Sequence, residues 1–222
     1  MKSVCWEADI VCQAVTQNGV VIGDGGVLRL NGHSISGGNI GLVCAGQCTI
    51  EGPGEVMGFA DAGIASSTNP HPKIDVRNVS VHDNLHYGIV TTYDGRLWLT
   101  DVTVSDNNFG GITLGPTTSA GEGKVKGTNV VITGNDGPGV KSKKFRFVAA
   151  TIQGNDGSGI LSGNGGGLLI DSTVTGNGTD FDPSYDLKTY KQPRLKNSTC
   201  ELSVQLLADA SLGASWGVCT ND

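Results

Sequence analysis

The run Asn135-Asp136-Gly137-Pro138-Gly139-Val140 returns twenty residues later as Asn155-Asp156-Gly157-Ser158-Gly159-Ile160, and looser copies end at Leu42, Ile64, Ile89 and Ile112. The aliphatic residues that close the copies lie 20 to 28 positions apart. Self-similarity at this period marks a solenoid, in which each repeat buries its apolar face only against its neighbours.

Inside each repeat the apolar residues alternate with a period of two. Ile74-Asp75-Val76, Leu97-Trp98-Leu99, Phe145-Arg146-Phe147 and Leu168-Leu169-Ile170 open successive repeats. A second short run follows, as in Val79-Ser80-Val81, Val102-Thr103-Val104, Val130-Val131-Ile132 and Ala150-Thr151-Ile152, and a third starts at the closing Gly-aliphatic pair. Three β-branched runs per repeat, separated by Gly, Asn and Asp, predict strands. A helical repeat would need amphipathic windows that the chain does not contain. Asn-Asp-Gly is also a hairpin signal, but hairpins would not return in one direction with like residues at like offsets. The expected fold class is therefore all-β: a single-stranded parallel β-helix of about six to seven short coils. Stacking superposes Asn84, Asn107, Asn135, Asn155 and Asn177 at one corner, and Asn78, Asp101, Asn129 and Asp171 at another. Both sets are expected to be structural ladders, since such side chains bond turn backbone and tolerate left-handed conformations.

The opening Leu28-Arg29-Leu30-Asn31-Gly32-His33-Ser34-Ile35, the Gly-Ile closures and the run Asn84 to Ile89 with its copies carry a family resemblance. Over about residues 20 to 180 the chain resembles the right-handed parallel β-helix superfamily, in particular the repeats of pectate-lyase-like proteins, mannuronan epimerases and NosD-like periplasmic proteins. The resemblance implies a right-handed coil and a carbohydrate or other small-molecule ligand. It does not select an activity, because such repeats occur in enzymes, binding modules and structural spikes.

The chain reads as a single domain over 1–222, with 1–26 as N-terminal cap and first irregular coil, 27–180 as the stack and 181–222 as C-terminal cap. A net charge of −6 argues against nucleic acid as partner. No apolar run is long enough for membrane insertion. The first ten residues lack the layout of a signal peptide, so a mature form is expected. Six cysteines fall in three close groups, Cys5 with Cys12, Cys44 with Cys48 and Cys200 with Cys219. An even count leaves many pairings open. The sequential one is favoured, with Cys44–Cys48 bridging a corner and the other two pinning the ends. The lone C-x3-C has no second ligand pair, so no metal is expected. Gly163 to Gly167 lacks the strand-turn-helix context of a nucleotide loop and reads as a turn, and no cofactor is expected. Three disulfides would place the protein in an oxidising compartment, secreted or periplasmic.

Chemistry must come from departures from the repeat. Ser66 to Pro72 and Gly115 to Gly123 are enlarged turns at one corner, with Tyr93-Asp94-Gly95-Arg96 between them in the stack. Long loops on one edge of a solenoid concentrate function. These turns, Lys141 and Lys143 on or beside the closing strand, and His86, Tyr87 and Phe109 before it are expected to form a shallow groove. In lyases and epimerases of the resembling superfamily, a base removes the proton beside a uronate carboxylate while a cation neutralises the developing charge. Carried over, His86, Tyr87 or Tyr93 would act as base or acid, Asp94 would orient, and Lys141, Lys143 or Arg96 would hold the carboxylate. His71, Arg96, Trp98, Phe109 and Arg146 are the candidate binding residues, with Trp98 outward between Asp75 and Lys126. Asn69-Pro70-His71-Pro72 is similar to the Asp-Pro-His-Glu signature of mannuronan epimerases, with Asn for Asp and Pro for Glu. Two functions follow: a protein that binds and processes a short acidic glycan, or a non-catalytic scaffold or binding module.

Overall fold

The computed structural model describes residues 8–12, 14, 16–66, 71–91, 94–115, 123–178 and 185–222, and the backbone of 3–5. Every regular element among them is a β-strand, and the strands form a parallel β-helix with three faces. Crossovers between parallel strands of one sheet take the right-handed sense, as expected. The first face stacks Ser3–Cys5, Gly26–Arg29, Gln47–Glu51, Lys73–Arg77, the opening halves of Arg96–Ser105 and Lys124–Thr133, Lys144–Val148, Gly167–Ile170 and Arg194–Lys196. The second face follows each of these after one corner, for example at Ser80–His82 and Thr151–Gln153. The third is a nine-stranded sheet from Val20–Ile22 to Ser203–Gln205.

Seven full turns, from Gly26 to Thr189, lie between one further layer of strands at each end. The stack therefore runs beyond 27–180. Leu187–Thr189 pairs with Ile160–Ser162, and Ser203–Gln205 pairs with Leu187–Thr189, inside the segment expected to be only a cap.

Strand alternation builds the core. On the first face Ile74, Val76, Leu97, Leu99, Val125, Phe145 and Phe147 point inward and are buried. Each such side chain contributes about 1.5–3 kcal/mol when fully buried. Phe145 and Phe147 stack at 6.3 Å, and the inward positions in register with them on adjacent turns are Gly167 and Gly127. A Cβ at either glycine would run into the phenyl ring, so these glycines supply the volume that the phenylalanines fill.

The two ladders form as expected. At the corner between first and second faces, Asn31, Asn78, Asp101, Asn129, Asp171 and Asn197 all adopt positive φ, between 48° and 56°. The amide of Asn129 donates to Asp101 at 3.0 Å, and that of Asn197 to Asp171 at 3.1 Å. At the corner between second and third faces, Asn84, Asn107, Asn135, Asn155 and Asn177 are buried, and each of the first four donates its side-chain amide to the next at 2.8 Å.

Two disulfides lie near the ends. Cys44–Cys48 bridges a corner from third face to first, and Cys200–Cys219 ties the tail to the last layer. The expected third bridge, Cys5–Cys12, is not formed: Cys12 is a free, half-buried thiol. Register places Cys5 beside Arg29, before the first corner, and Cys12 beside Gly37, at the end of the next strand. A corner and a whole strand exceed the Cα separation a disulfide allows. The tail is fastened further by Asp222, whose carboxylate accepts from the backbone N–H groups of Ser203, Val218 and Cys219 and from the Ser203 hydroxyl. Trp216 Nε1 donates to Thr189 Oγ1 at 3.0 Å.

Candidate functional site

Strand alternation that turns aliphatic residues inward on the first face turns their neighbours outward, and register lines these up in rows. One row reads Lys73, Arg96, Lys124, Lys144. The next reads Asp75, Trp98, Lys126, Arg146, Leu168, Arg194. The chain has fifteen lysines and arginines. Ten of them, Arg29, Lys73, Arg77, Arg96, Lys124, Lys126, Lys144, Arg146, Arg194 and Lys196, sit on first-face strands, against two carboxylates, Glu51 and Asp75. A protein of net charge −6 thus gathers most of its cations on one face.

The lower part of this face neutralises itself. Arg77 clamps Asp75 with two hydrogen bonds, at 3.1 and 2.6 Å, which raise the guanidinium pKa. Glu51 pairs with Arg29 at 2.9 Å and lies 3.9 Å from Arg77. Higher up the balance changes. Among the described residues no carboxylate pairs with Lys124, Lys126, Lys144 or Arg146. Trp98 stands at the boundary, with Lys73 Nζ 3.9 Å from its ring centroid and Lys126 Nζ at 6.0 Å. Such cation–π contacts hold the indole and the two ammonium groups together.

Two open depressions follow the face upward. One of about 490 Å³ is lined by Asp75, Arg77, Trp98, Lys126, Gly127, Thr128 and Arg146. The other, about 320 Å³, is lined by Lys144, Arg146, Gly165 to Gly167, Leu168, Lys191 and Arg194. Arg146 lines both, so the two depressions adjoin at that side chain. A third depression, of about 510 Å³, lies at the first corner among Asp9, Ser34, Gly54, Glu55, Asn78 and Asp101. Of its carboxylates, Asp9 is engaged by the Ser34 N–H at 2.7 Å and Asp101 by Asn129, and Glu55 lies 3.9 Å from His82 Nε2. Among the described residues no aromatic side chain lines it.

The nominated residues do not share one groove. Arg96, Trp98 and Arg146 lie on the first face; His71 and Asp94 are exposed at its entry, and Lys143 is exposed at the corner leading into Lys144. His86, Tyr87 and Phe109 cluster instead at the second corner, a full third-face strand away. Lys141 is half-buried on the third face beside Thr113 and Leu161, where burial lowers its pKa. Tyr93, Asn69 and Pro70 and most of both enlarged turns lie outside the described residues.

At the second corner, Tyr87 and Phe109 meet edge to face at 5.2 Å, and His86 meets Phe109 at 6.0 Å. His86 Nδ1 lies 3.5 Å from Asp61 Oδ1. Burial, then the charge of Asp61, raises the Tyr87 phenol pKa, keeping it a neutral hydroxyl. Lys73, Lys124 and Lys144 are residues that sequence reading did not nominate. Their signal was the recurrence of Lys-x-Asp, Arg-x-Trp, Lys-x-Lys and Lys-x-Arg at the same offset of each first-face strand.

No family model matches this chain, and no curated protein matches it. Among solved structures it is similar to the crystal structure of pectate lyase Pel9A, at 13% identity and a TM-score of 0.43, over 90% of this chain and 51% of that one. The chain spans about half the length of that enzyme. No helix among the described residues is long and apolar enough to cross a membrane, and two disulfides are compatible with an oxidising compartment.

Proposed function

We propose that this protein is a secreted or periplasmic β-helix that binds an acidic glycan along its first face. The observation that carries the proposal is the rising track of cations from Lys73 through Lys126 to Arg146 and Arg194, with Trp98 set among them. Rows one turn apart repeat at about 4.8 Å, so a linear polymer with a charge on each unit meets a cation on each of the four turns from Lys73 to Arg146, and again at Arg194 beyond Leu168. Arginine adds bidentate recognition of carboxylates. The indole offers a flat surface for the apolar side of a sugar ring. Neither part alone distinguishes an acidic sugar from another anion; the combination does.

Binding fits this face better than turnover. Its two carboxylates are held by arginines, which suits neither to take a proton. Of the other candidate bases, His86 and Tyr87 stand at a different corner, and Tyr93 lies outside the described residues. A lyase step would also need a base within hydrogen-bond reach of the sugar.

The test is a panel of oligogalacturonate, alginate and neutral galactan, followed by calorimetry and by absorbance of unsaturated products, with duplex DNA as a polyanion lacking a sugar face of this kind. The expected outcome is uptake of an acidic glycan without new unsaturated ends, weaker uptake of DNA, and no uptake of galactan that depends on Trp98. Trp98→Ala should weaken the acidic glycan by roughly tenfold, the worth of one stacked aromatic. Equal affinity for acidic and neutral polymers would contradict the assignment, and rapid formation of unsaturated ends would make the face catalytic.

A further inference from the structure

We infer that the His86, Tyr87 and Phe109 corner is a second binding site, one that takes a neutral sugar and is independent of the basic face. The starting point is an anomaly in burial. Phe59, Phe145 and Phe147 are at most 1% exposed, whereas Phe109 is 56% exposed and Leu85, on the preceding turn, 57%. A fold that encloses every other described phenylalanine leaves this ring in water, and exposed apolar clusters of this kind mark interaction sites.

The ring is positioned as well as exposed. Tyr87 faces outward at a strand position whose neighbours in register are Ala62 and Gly110, so its ring has room to lie across them. It braces Phe109 edge-on at 72°, and His86 meets Phe109 at 89°. On the next turn Gly137 lies against the Phe109 carbonyl, where a Cβ has no space, so that turn brings no side chain over the ring there.

Polar groups surround this wall. Asp61 supplies carboxylate oxygens beside His86, and Tyr87 supplies a phenolic hydroxyl. Together they give a pyranose what it requires: an aromatic surface for its C–H face, an acceptor for its hydroxyls and a donor for their oxygens. The charge of the ligand follows from the surroundings. Asp83 and Asp106 precede the ladder asparagines of two successive turns at this corner and Asp136 follows that of the next, so together with Asp61 they disfavour a uronate here. A neutral hexose or pentose chain is the class that fits.

The experiment is saturation-transfer NMR on the full chain with neutral gluco-, xylo-, manno- and galacto-oligosaccharides, followed by titration of any that bind. At least one should bind. Phe109→Ala should weaken it roughly tenfold, with an unchanged circular dichroism spectrum because the ring is exposed. Tyr87→Phe, which keeps the ring and removes the hydroxyl, should weaken it less. Trp98→Ala should leave it unchanged, and oligogalacturonate should not compete, which keeps this site's success or failure separate from that of the basic face. Absence of binding by all four families, wild-type affinity in Phe109→Ala, or loss of binding in Trp98→Ala would each overturn the inference.

Discussion

Asp186 accepts both the backbone N–H and the side-chain amide of Asn177 on one carboxylate oxygen, at 3.3 and 2.9 Å. Its other oxygen accepts the backbone N–H groups of Glu201 and Leu202. The asparagine ladder begins where the Phe59 N–H donates to Asn84, and every rung then donates towards the C-terminus. Such a chain must end on acceptors, and the two oxygens of the Asp186 carboxyl group supply them. Asp186→Asn would turn an amide donor towards donors. It should cost roughly 1–3 kcal/mol, read as a fall in the denaturant midpoint.

Two carboxylates of the C-terminal region should give stability opposite pH dependences. Burial raises the Asp186 pKa, against hydrogen bonds that lower it. Its contribution is therefore present below the unfolded value, about 3.9, and is lost as pH rises through the raised folded value. For Asp222, burial also pushes upward but is outweighed by bonds from Ser203, Cys219 and Val218, so the folded pKa is lowered. That contribution is present above the unfolded value and lost as pH falls through the folded one. Melting curves of Asp186→Asn and Asp222→Asn against wild type should diverge towards acid for the first and converge towards acid for the second.

Ala149 holds φ at 51° at the corner where most other turns place Asn or Asp. An alanine there is strained by about 1–2 kcal/mol. Ala149→Asn should recover part of this and raise the melting temperature. No gain would mean that the neighbouring turns impose the angle without cost.

Gly167→Ala places a methyl group against the Phe145 ring in a packed core. Overpacking of this kind costs roughly 1–3 kcal/mol. The double variant Gly167→Ala with Phe145→Leu should be less destabilised than the sum of the two single changes.

The disulfides differ in the length of chain they close. Cys200–Cys219 spans 19 positions and Cys44–Cys48 spans 4. Loop entropy makes the first worth roughly 1 kcal/mol more. Cys200→Ser with Cys219→Ser should therefore destabilise more than the matching change at Cys44 and Cys48. Cys12, a free thiol, should react with maleimide before reduction.

The parallel stack, the three runs per turn and both corner ladders were legible in the sequence because like residues recur at like offsets. The extra layers at the ends were not. An end strand has one neighbour, so its alternation relaxes: Leu195, the inward residue of Arg194–Lys196, is only half-buried. The site was partly legible. Trp98 was correctly placed beside Asp75 and Lys126, but Phe109 and Arg96 were assigned to one groove. Each turn rounds three corners in some two dozen residues, so positions a dozen apart along the chain face different directions. The cation rows were hidden for the converse reason: their members are a whole turn apart in sequence and adjacent in space.

The account turns on whether the upper first face holds an acidic polymer by its charge. Calorimetric titration of oligogalacturonate into wild type and into Lys126→Glu with Arg146→Glu, across a range of salt, tests this directly. Wild-type affinity should fall steeply as salt rises, as it does for exposed charges, and the double reversal should abolish binding while leaving the melting temperature within about 1 °C. Salt-independent binding, or binding that survives the reversal, would contradict it.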